Sequence, residues 1–223
     1  MTFVVPADGI FHFEDIAVGR SAPVGRYLVT REAIISFAEK YDPQPIHLDE
    51  AAAKRSIVGG LCASGFHTCA IMMRLLCDNI LLRSTSLGSP GLDEVKWLKP
   101  LRPGDTLSLV LDTHEARVLS SRPDVGISKL TIELVDAAGS PVMTALTNQL
   151  MRLRNPNAAA VAAAAAMRKA RPTEQRAVEP DLWSEPEAFL SAPDRNHFED
   201  VAIGDLRDIG SHTFERDAVL EFA

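Results

Sequence analysis

A stretch at residues 63–82, reading ASGFHTCAIMMRLLCDNILL, carries apolar side chains on nearly every face of the helix that it predicts. At 1.5 Å per residue, such a helix would be about 30 Å long. A helix that is apolar all round belongs in the core of a fold rather than on its surface. The rest of the chain must therefore supply elements that enclose it.

Four later segments predict these elements. Residues 92–98, 106–118, 126–135 and 142–153 are rich in β-branched or alternating apolar residues, and turn signals such as Pro103-Gly104 separate them. One buried helix followed by an antiparallel meander is an α+β plan. We expect the strands to wrap the long helix.

The segment before the long helix predicts a stiff turn between two shorter helices. Thr30 is the expected N-cap of a helix that ends near Tyr41, and Asp49 is the expected N-cap of a second one. Pro43 and Pro45 lie between these two helices and prevent them from joining into one. Each proline lacks a backbone donor and disfavours the α conformation of its predecessor.

Two features near this turn are candidates for a catalytic role. Asp42 and His47 lie five residues apart across the proline turn, a spacing that could hold a carboxylate and an imidazole around one water molecule. Ser64 and Gly65 open the long helix, where free N–H groups and the positive end of the helix dipole can polarise a carbonyl oxygen. Taken alone, each feature also fits an ordinary turn or a helix cap.

The order and spacing of three segments, YDPQPIHLDEAAA, GGLCASGFHT and VKWLKPLRPGDTL, closely resemble the MaoC-like dehydratases, also called the (R)-specific enoyl-CoA hydratase family. The resemblance covers roughly residues 11–153. It implies a hot-dog fold, in which an antiparallel sheet wraps a long helix and two such units pair. It also implies reversible hydration of a trans-2-enoyl-CoA to a (3R)-hydroxyacyl-CoA, with coenzyme A as part of the substrate and no separate cofactor or metal.

The resemblance also assigns roles by position. Asp42 and His47 match the catalytic dyad of the family, and Gly65 matches the residue whose backbone N–H forms the oxyanion hole. Pro45 and Ser64 are expected to contact the substrate. The serine that supports the catalytic Asp in well-known members corresponds to Met73 here, so Ser64 or Thr68 would have to replace it.

Other polar residues near the motifs have two interpretations each. His67 either lines the acyl pocket or is an ordinary core histidine. The basic side chains around Trp97 either bind the phosphates of coenzyme A or form a solvated strand edge; they are Lys96, Lys99 and Arg102. The three cysteines are expected to be core residues.

Two other functions remain open. A hot-dog acyl-CoA thioesterase would use a carboxylate-activated water to attack the thioester carbonyl itself. A non-catalytic module that binds acyl thioesters, or only dimerises, would need no dyad. The turn from Asp42 to His47 favours hydration over both.

An internal repeat predicts the domain organisation. Residues 12–38 recur at residues 197–223, with 11 of 27 aligned positions identical. The Ala- and Pro-rich segment between the copies predicts an exposed linker with a short helix. We expect a hot-dog domain at residues 1–154, a linker at 155–192 and the truncated start of a second hot-dog repeat at 193–223. With the repeat offset of 185, the second equivalent of Asp42 would be residue 227, so only the first unit is expected to carry the dyad.

Composition restricts the partners and the compartment. Lys and Arg total 23 against 30 for Asp and Glu, a net charge of −7, which argues against a nucleic-acid partner. The N-terminus lacks a basic region followed by an apolar run, and the three cysteines all lie within residues 62–77 without disulfide or metal-ligand spacing. We expect a cytoplasmic homo-oligomer with no membrane partner.

Overall fold

The computed structural model of the chain describes residues 6–170 and 215–222. The chain divides into two units, Met1–Pro172 and Thr173–Ala223, which are described separately below. Most of the described residues belong to the first unit.

The short helices of the first unit follow local capping signals. Helix α1 (Arg31–Tyr41) begins after Thr30, whose side chain accepts a hydrogen bond from the Ala33 N–H. Helix α3 (Glu50–Arg55) begins after Asp49, which caps Ala52 in the same way. Both predicted N-caps are confirmed. Between them, residues Pro45–Leu48 form one helical turn, α2, with the proline at its first position, where a missing N–H costs nothing.

The long apolar segment forms helix α4 (Gly65–Asn79), which starts at the N-cap Ser64 and is shorter than predicted. Buried side chains such as Ile71 and Leu75 lie on one side of it, whereas Phe66 is 70% exposed and Met73 is 49% exposed. The expectation that α4 is buried all round is therefore wrong, because the sheet covers only one face of the helix. By length and composition Gly65–Arg83 could cross a membrane, and a core helix of this kind passes the same test.

A seven-stranded antiparallel sheet packs against the buried face of α4. The strands are β1 (Gly19–Arg20), β2 (Val24–Leu28), β3 (Ser86–Gly88), β4 (Leu92–Trp97), β5 (Thr106–Leu119), β6 (Arg122–Val135) and β7 (Pro141–Arg152). The three long strands form the centre of the sheet, in the order β5, β6, β7. Two short strands pair with each outer strand of this centre: β1 and β2 with β5, and β3 and β4 with β7. The four predicted strands are confirmed, and β1, β2 and β3 were not predicted.

The core lies between the sheet and α4. Completely buried side chains of the three long strands, among them Leu109, Leu134 and Met143, pack there with Ile71 of α4. The connection from β4 to β5 contacts the chain just before α4, where the Ala63 N–H donates to the Leu101 carbonyl at 2.8 Å. This contact brings the beginning of α4 and the end of β4 to the same end of the fold.

Two further helices lie in the region of the predicted linker and second repeat. Helix α5 (Ala158–Ala170) belongs to the first unit and contacts β6. In the second unit, helix α6 (Arg216–Phe222) begins at the repeat equivalent of Arg31, since 31 + 185 = 216. The rest of the second repeat copy lies outside the described residues, so the predicted extent of that unit stays a prediction.

Candidate active site

A cleft of about 470 Å³ lies at the N-terminal end of α4. The end of α1, helix α2, the loop before α4 and the β4–β5 connection surround it. Four of the predicted site residues line this cleft together: Asp42, His47, Ser64 and Gly65. The fifth, Pro45, is exposed at the start of α2 and does not line it; its ring restricts the backbone just before His47.

Asp42 follows the last residue of α1, and donors hold both of its carboxylate oxygens. The Ser64 hydroxyl donates to Oδ2 at 2.6 Å, and the Gln44 side-chain amide donates to Oδ1 at 2.7 Å. The two hydrogen bonds lower the pKa of the Asp42 carboxyl below its ordinary value, and the bond from Ser64 has the larger effect. The carboxylate is therefore ionised and fixed in orientation at neutral pH.

His47 is buried in α2 and has a defined tautomer. Its Nδ1 lies 2.8 Å from the Cys62 carbonyl oxygen, and because a carbonyl only accepts, Nδ1 must carry the hydrogen. In the neutral ring, Nε2 then has a free lone pair. This atom lies 3.6 Å from Asp42 Oδ2, too far for a good direct hydrogen bond. Two hydrogen-bond acceptors thus face each other across a short gap in the cleft.

Gly65 is the first residue of α4, and Trp97 from the end of β4 packs against it. The indole Nε1–H donates to the Gly65 carbonyl at 2.9 Å. A Cβ on Gly65 would lie 2.8 Å from Cε2 of the indole, so the Trp97 ring occupies the space that a side chain would need. Within the described residues, no acceptor contacts the Gly65 N–H, which leaves it free at the positive end of the helix.

The support expected for Asp42 comes from Ser64 rather than from Thr68 or Met73. Thr68 donates its hydroxyl to the Ser64 carbonyl at 3.2 Å, and Met73 lies on the exposed face of α4. Two contacts of the site were not predicted from the sequence. Gln44 lies two residues from the carboxylate that it contacts, so the spacing within the turn could have indicated it. Trp97 is 32 residues from Gly65, and no local signal connects them.

His67, Cys62 and Cys69 have the properties of core residues, whereas Cys77 is only partly buried. The His67 ring stacks on Phe37 with centroids 4.6 Å apart, and burial lowers its pKa to about 4, so the ring is neutral at physiological pH. Burial also raises the pKa of the Cys62 and Cys69 thiols. A thiol with a raised pKa is a poor nucleophile at neutral pH.

The three basic candidates for phosphate binding all have protein partners. Lys96 pairs with Glu94 at 2.8 Å, and Lys99 pairs with Asp136 at 3.1 Å. Arg102 donates to backbone carbonyls of the loop before α4. Among residues 6–170 and 215–222, no group of three or more His, Cys, Asp or Glu side chains could hold a metal ion.

Replacing Ser64 with alanine is expected to make folding stability less dependent on pH. A lowered carboxyl pKa stabilises the folded state above the unfolded-state pKa, and this stabilisation is lost as the pH falls through the folded-state value. Without the Ser64 hydrogen bond, the pKa of Asp42 rises towards its ordinary value, so the gain in unfolding free energy between acidic and neutral pH becomes smaller. Denaturant titrations across this pH range measure the difference.

Thr30→Ala is the matched control for Ser64→Ala. Thr30 caps α1 as Ser64 caps α4, but within residues 6–170 and 215–222 no side-chain hydrogen bond joins Thr30 to a carboxylate. Each variant should lose about 1 kcal/mol from its lost cap, and only Ser64→Ala should also change the pH dependence. Equal pH profiles in the two variants would contradict the assigned cause of the low Asp42 pKa.

Comparisons with known proteins agree on one family and one fold. Residues 19–133 match the family described as MaoC like domain. The structure is similar to that of a MaoC-like dehydratase from Rhodospirillum rubrum, with 38% sequence identity and a TM-score of 0.61 over 65% of this chain and 99% of that chain. The unliganded (R)-hydratase PhaJ1 from Pseudomonas aeruginosa shares the fold at 18% identity, with a TM-score of 0.50 over 65% of this chain and 86% of that chain.

Another relative is similar to this chain in sequence. The uncharacterized protein YdeM of Bacillus subtilis (strain 168) is 25% identical over 114 residues, which is 51% of this chain and 79% of that protein. With the sheet and helix described above, the structural neighbours confirm the predicted α+β hot-dog fold.

Proposed function

Because the chain belongs to the MaoC-like dehydratase family, we propose that it catalyses the reversible hydration of a trans-2-enoyl-CoA to a (3R)-hydroxyacyl-CoA. One observation carries the proposal. His47 Nε2 and Asp42 Oδ2 are both acceptors, 3.6 Å apart in the cleft. A water molecule has two O–H donors, so it satisfies both acceptors at once, and its oxygen lone pairs stay free to attack.

In the hydration direction, the bound water attacks C3 of the enoyl group. One O–H bond breaks as the new C–O bond forms, and the proton passes to the pair formed by Asp42 and His47. The electron pair of the C2–C3 double bond moves towards the thioester oxygen, which gives an enolate. Return of the proton to C2 completes the addition of water. No electrons are gained or lost overall, so the reaction needs no redox cofactor.

The enolate oxygen requires a donor, and the free N–H of Gly65 supplies it in this proposal. The N–H lies at the positive end of α4, where the first-turn donors have no intrahelical partner. A preorganised donor of this kind typically contributes about 3 to 4 kcal/mol to transition-state stabilisation. The substrate would place its thioester at Gly65 and its C3 beside the water.

Incubation with short-, medium- and long-chain trans-2-enoyl-CoAs tests the proposal. We expect loss of the conjugated enoyl absorbance without release of free thiol, and a (3R) product on chiral analysis. Release of free thiol would instead indicate the thioesterase. No change with any chain length would contradict catalysis and favour a binding module.

We also propose that two copies of the chain pair through the exposed face of α4. Phe66 and Met73 lie two turns apart on that face, and the Trp97 ring lies 6.5 Å from the Phe66 ring. Large exposed apolar side chains that lie close together are typical of protein interfaces. Sedimentation equilibrium should therefore give a dimer for the wild type and weaker association for Met73→Lys. The exposed Leu82 offers a control, since Leu82→Lys should leave the mass unchanged.

A further inference from the structure

Arg102, in the β4–β5 connection, holds the loop that leads into α4. Its Nη1 donates to the Gly60 carbonyl at 2.5 Å and to the Leu61 carbonyl at 3.2 Å. Its Nη2 donates to the Val58 carbonyl. One guanidinium thus binds three carbonyls of a four-residue stretch, which a planar group with five N–H donors can do.

The loop has a backbone conformation that suits this contact. Gly59 and Gly60 both have positive φ angles, +70° and +156°, which glycine adopts without steric cost. A Cβ on Gly60 would lie 3.0 Å from Arg102 Nη1, so the guanidinium lies directly against the loop. The neighbouring Ala63 N–H donates to the Leu101 carbonyl at 2.8 Å, which attaches the end of the loop to the same connection.

The next residues of the loop contact both members of the dyad. The Cys62 carbonyl accepts the hydrogen of His47 Nδ1 at 2.8 Å, and the Ser64 hydroxyl donates to Asp42 at 2.6 Å. The direction of the Cys62 carbonyl decides which nitrogen of His47 carries the hydrogen, because only the protonated nitrogen can donate to it. A shift of this loop would therefore change the tautomer of His47 as well as its position.

We propose that Arg102 is a positioning residue, which fixes the Cys62 carbonyl and thereby keeps Nε2 of His47 free to accept a proton. Arg102 acts through the loop and does not touch the reacting atoms. The proposal rests on the hydratase function proposed above, but its structural part, the tautomer of His47, can be measured without turnover. It also assigns Arg102 a role other than binding the phosphates of coenzyme A.

Arg102→Lys and Arg102→Ala test the proposal, with Arg74→Lys as the matched control. A lysine ammonium cannot bind three carbonyls in the planar arrangement of a guanidinium. Arg74 pairs with Asp78, one helical turn further along α4, and neither residue lines the cleft. Both Arg102 variants should lower kcat, by about 10²-fold for a misplacement near 1 Å, with a smaller change in KM. Added guanidinium ion should restore much of the activity of Arg102→Ala, and Arg74→Lys should resemble the wild type.

Nitrogen NMR of the His47 ring gives the second readout. The wild type should show the hydrogen on Nδ1, and Arg102→Lys should show a mixture of both tautomers. A pure Nδ1–H tautomer with normal kcat in Arg102→Lys would overturn the proposal. A lower thermal stability of Arg102→Lys, with the tautomer and kcat unchanged, would overturn it as well. If the wild type hydrates no enoyl-CoA, the proposed function fails, yet the NMR comparison still decides whether Arg102 positions His47.

Discussion

Replacing Asp42 with asparagine is expected to lower kcat for enoyl-CoA hydration by about 10²- to 10⁴-fold, the usual contribution of a positioned acid–base group. The amide cannot take a proton from water. It also places an NH₂ group opposite the Ser64 hydroxyl or the Gln44 amide, both of which donate to Asp42. Steady-state kinetics on an enoyl-CoA measure the loss in kcat.

The controls for Asp42→Asn separate chemistry from folding. A donor left unpaired in the cleft should cost about 1 to 3 kcal/mol, so kinetics must be recorded below the melting temperature of the variant. Asp49→Asn is the matched change, because Asp49 is a nearby N-cap with an exposed carboxylate, and asparagine caps equally well. It should keep near-normal turnover. Near-normal turnover in Asp42→Asn would contradict the proposed mechanism.

Replacing Gly65 with alanine is expected to lower kcat by about 10²-fold, near the lower end for loss of an oxyanion donor. The backbone of Gly65 is helical, so alanine fits its conformation. The new Cβ, however, would lie 2.8 Å from the Trp97 ring, and either the indole or the first turn of α4 must move. Movement of that turn displaces the N–H that is proposed to bind the enolate oxygen. Enoyl-CoA kinetics and the melting temperature together measure the effect.

The double variant Gly65→Ala/Trp97→Ala identifies the cause of that loss. Alanine at position 97 removes the whole indole, including the Cε2 and Nε1 atoms nearest the new Cβ, so the first turn of α4 can return to its place and most of the activity should recover. Trp97→Ala alone serves as the control for the hydrogen bond from Nε1 to Gly65. If the double variant is as slow as Gly65→Ala, the methyl group blocks the thioester itself rather than the Trp97 ring.

Local signals made much of the fold predictable. Thr30 and Asp49 cap helices through backbone N–H groups three residues away, and the four longer strands carry their pattern within the strand. The short strands β1 and β3 have two and three residues, too few for a periodic pattern. The exposed face of α4 was also missed, because apolar side chains on all sides of a helix do not show which side the sheet leaves uncovered.

The residues of the candidate site were predictable, and so was the support of Asp42 by Ser64, but the contacts made by Trp97 and Arg102 were not. Asp42, His47 and Gly65 could be named from motif spacing, and the cleft does bring them together. The contacts of Trp97 with Gly65 and of Arg102 with Gly60 join residues 32 and 42 positions apart, and neither pair belongs to a periodic pattern. Such contacts depend on the packing of the β4–β5 connection, which the sequence pattern does not show.

The residues just before β1 and just after β7 bind each other. Arg154, just after β7, donates to Asp15 at 2.7 Å, and its backbone N–H donates to Glu14 at 2.9 Å. Glu14 and Asp15 belong to the segment HFED, which recurs at residues 197–200. A unit whose ends meet can be duplicated in tandem, or circularly permuted, without rebuilding its interior. The architecture therefore lowers the evolutionary barrier to gene fusion, since a copying event needs to add only a connecting segment.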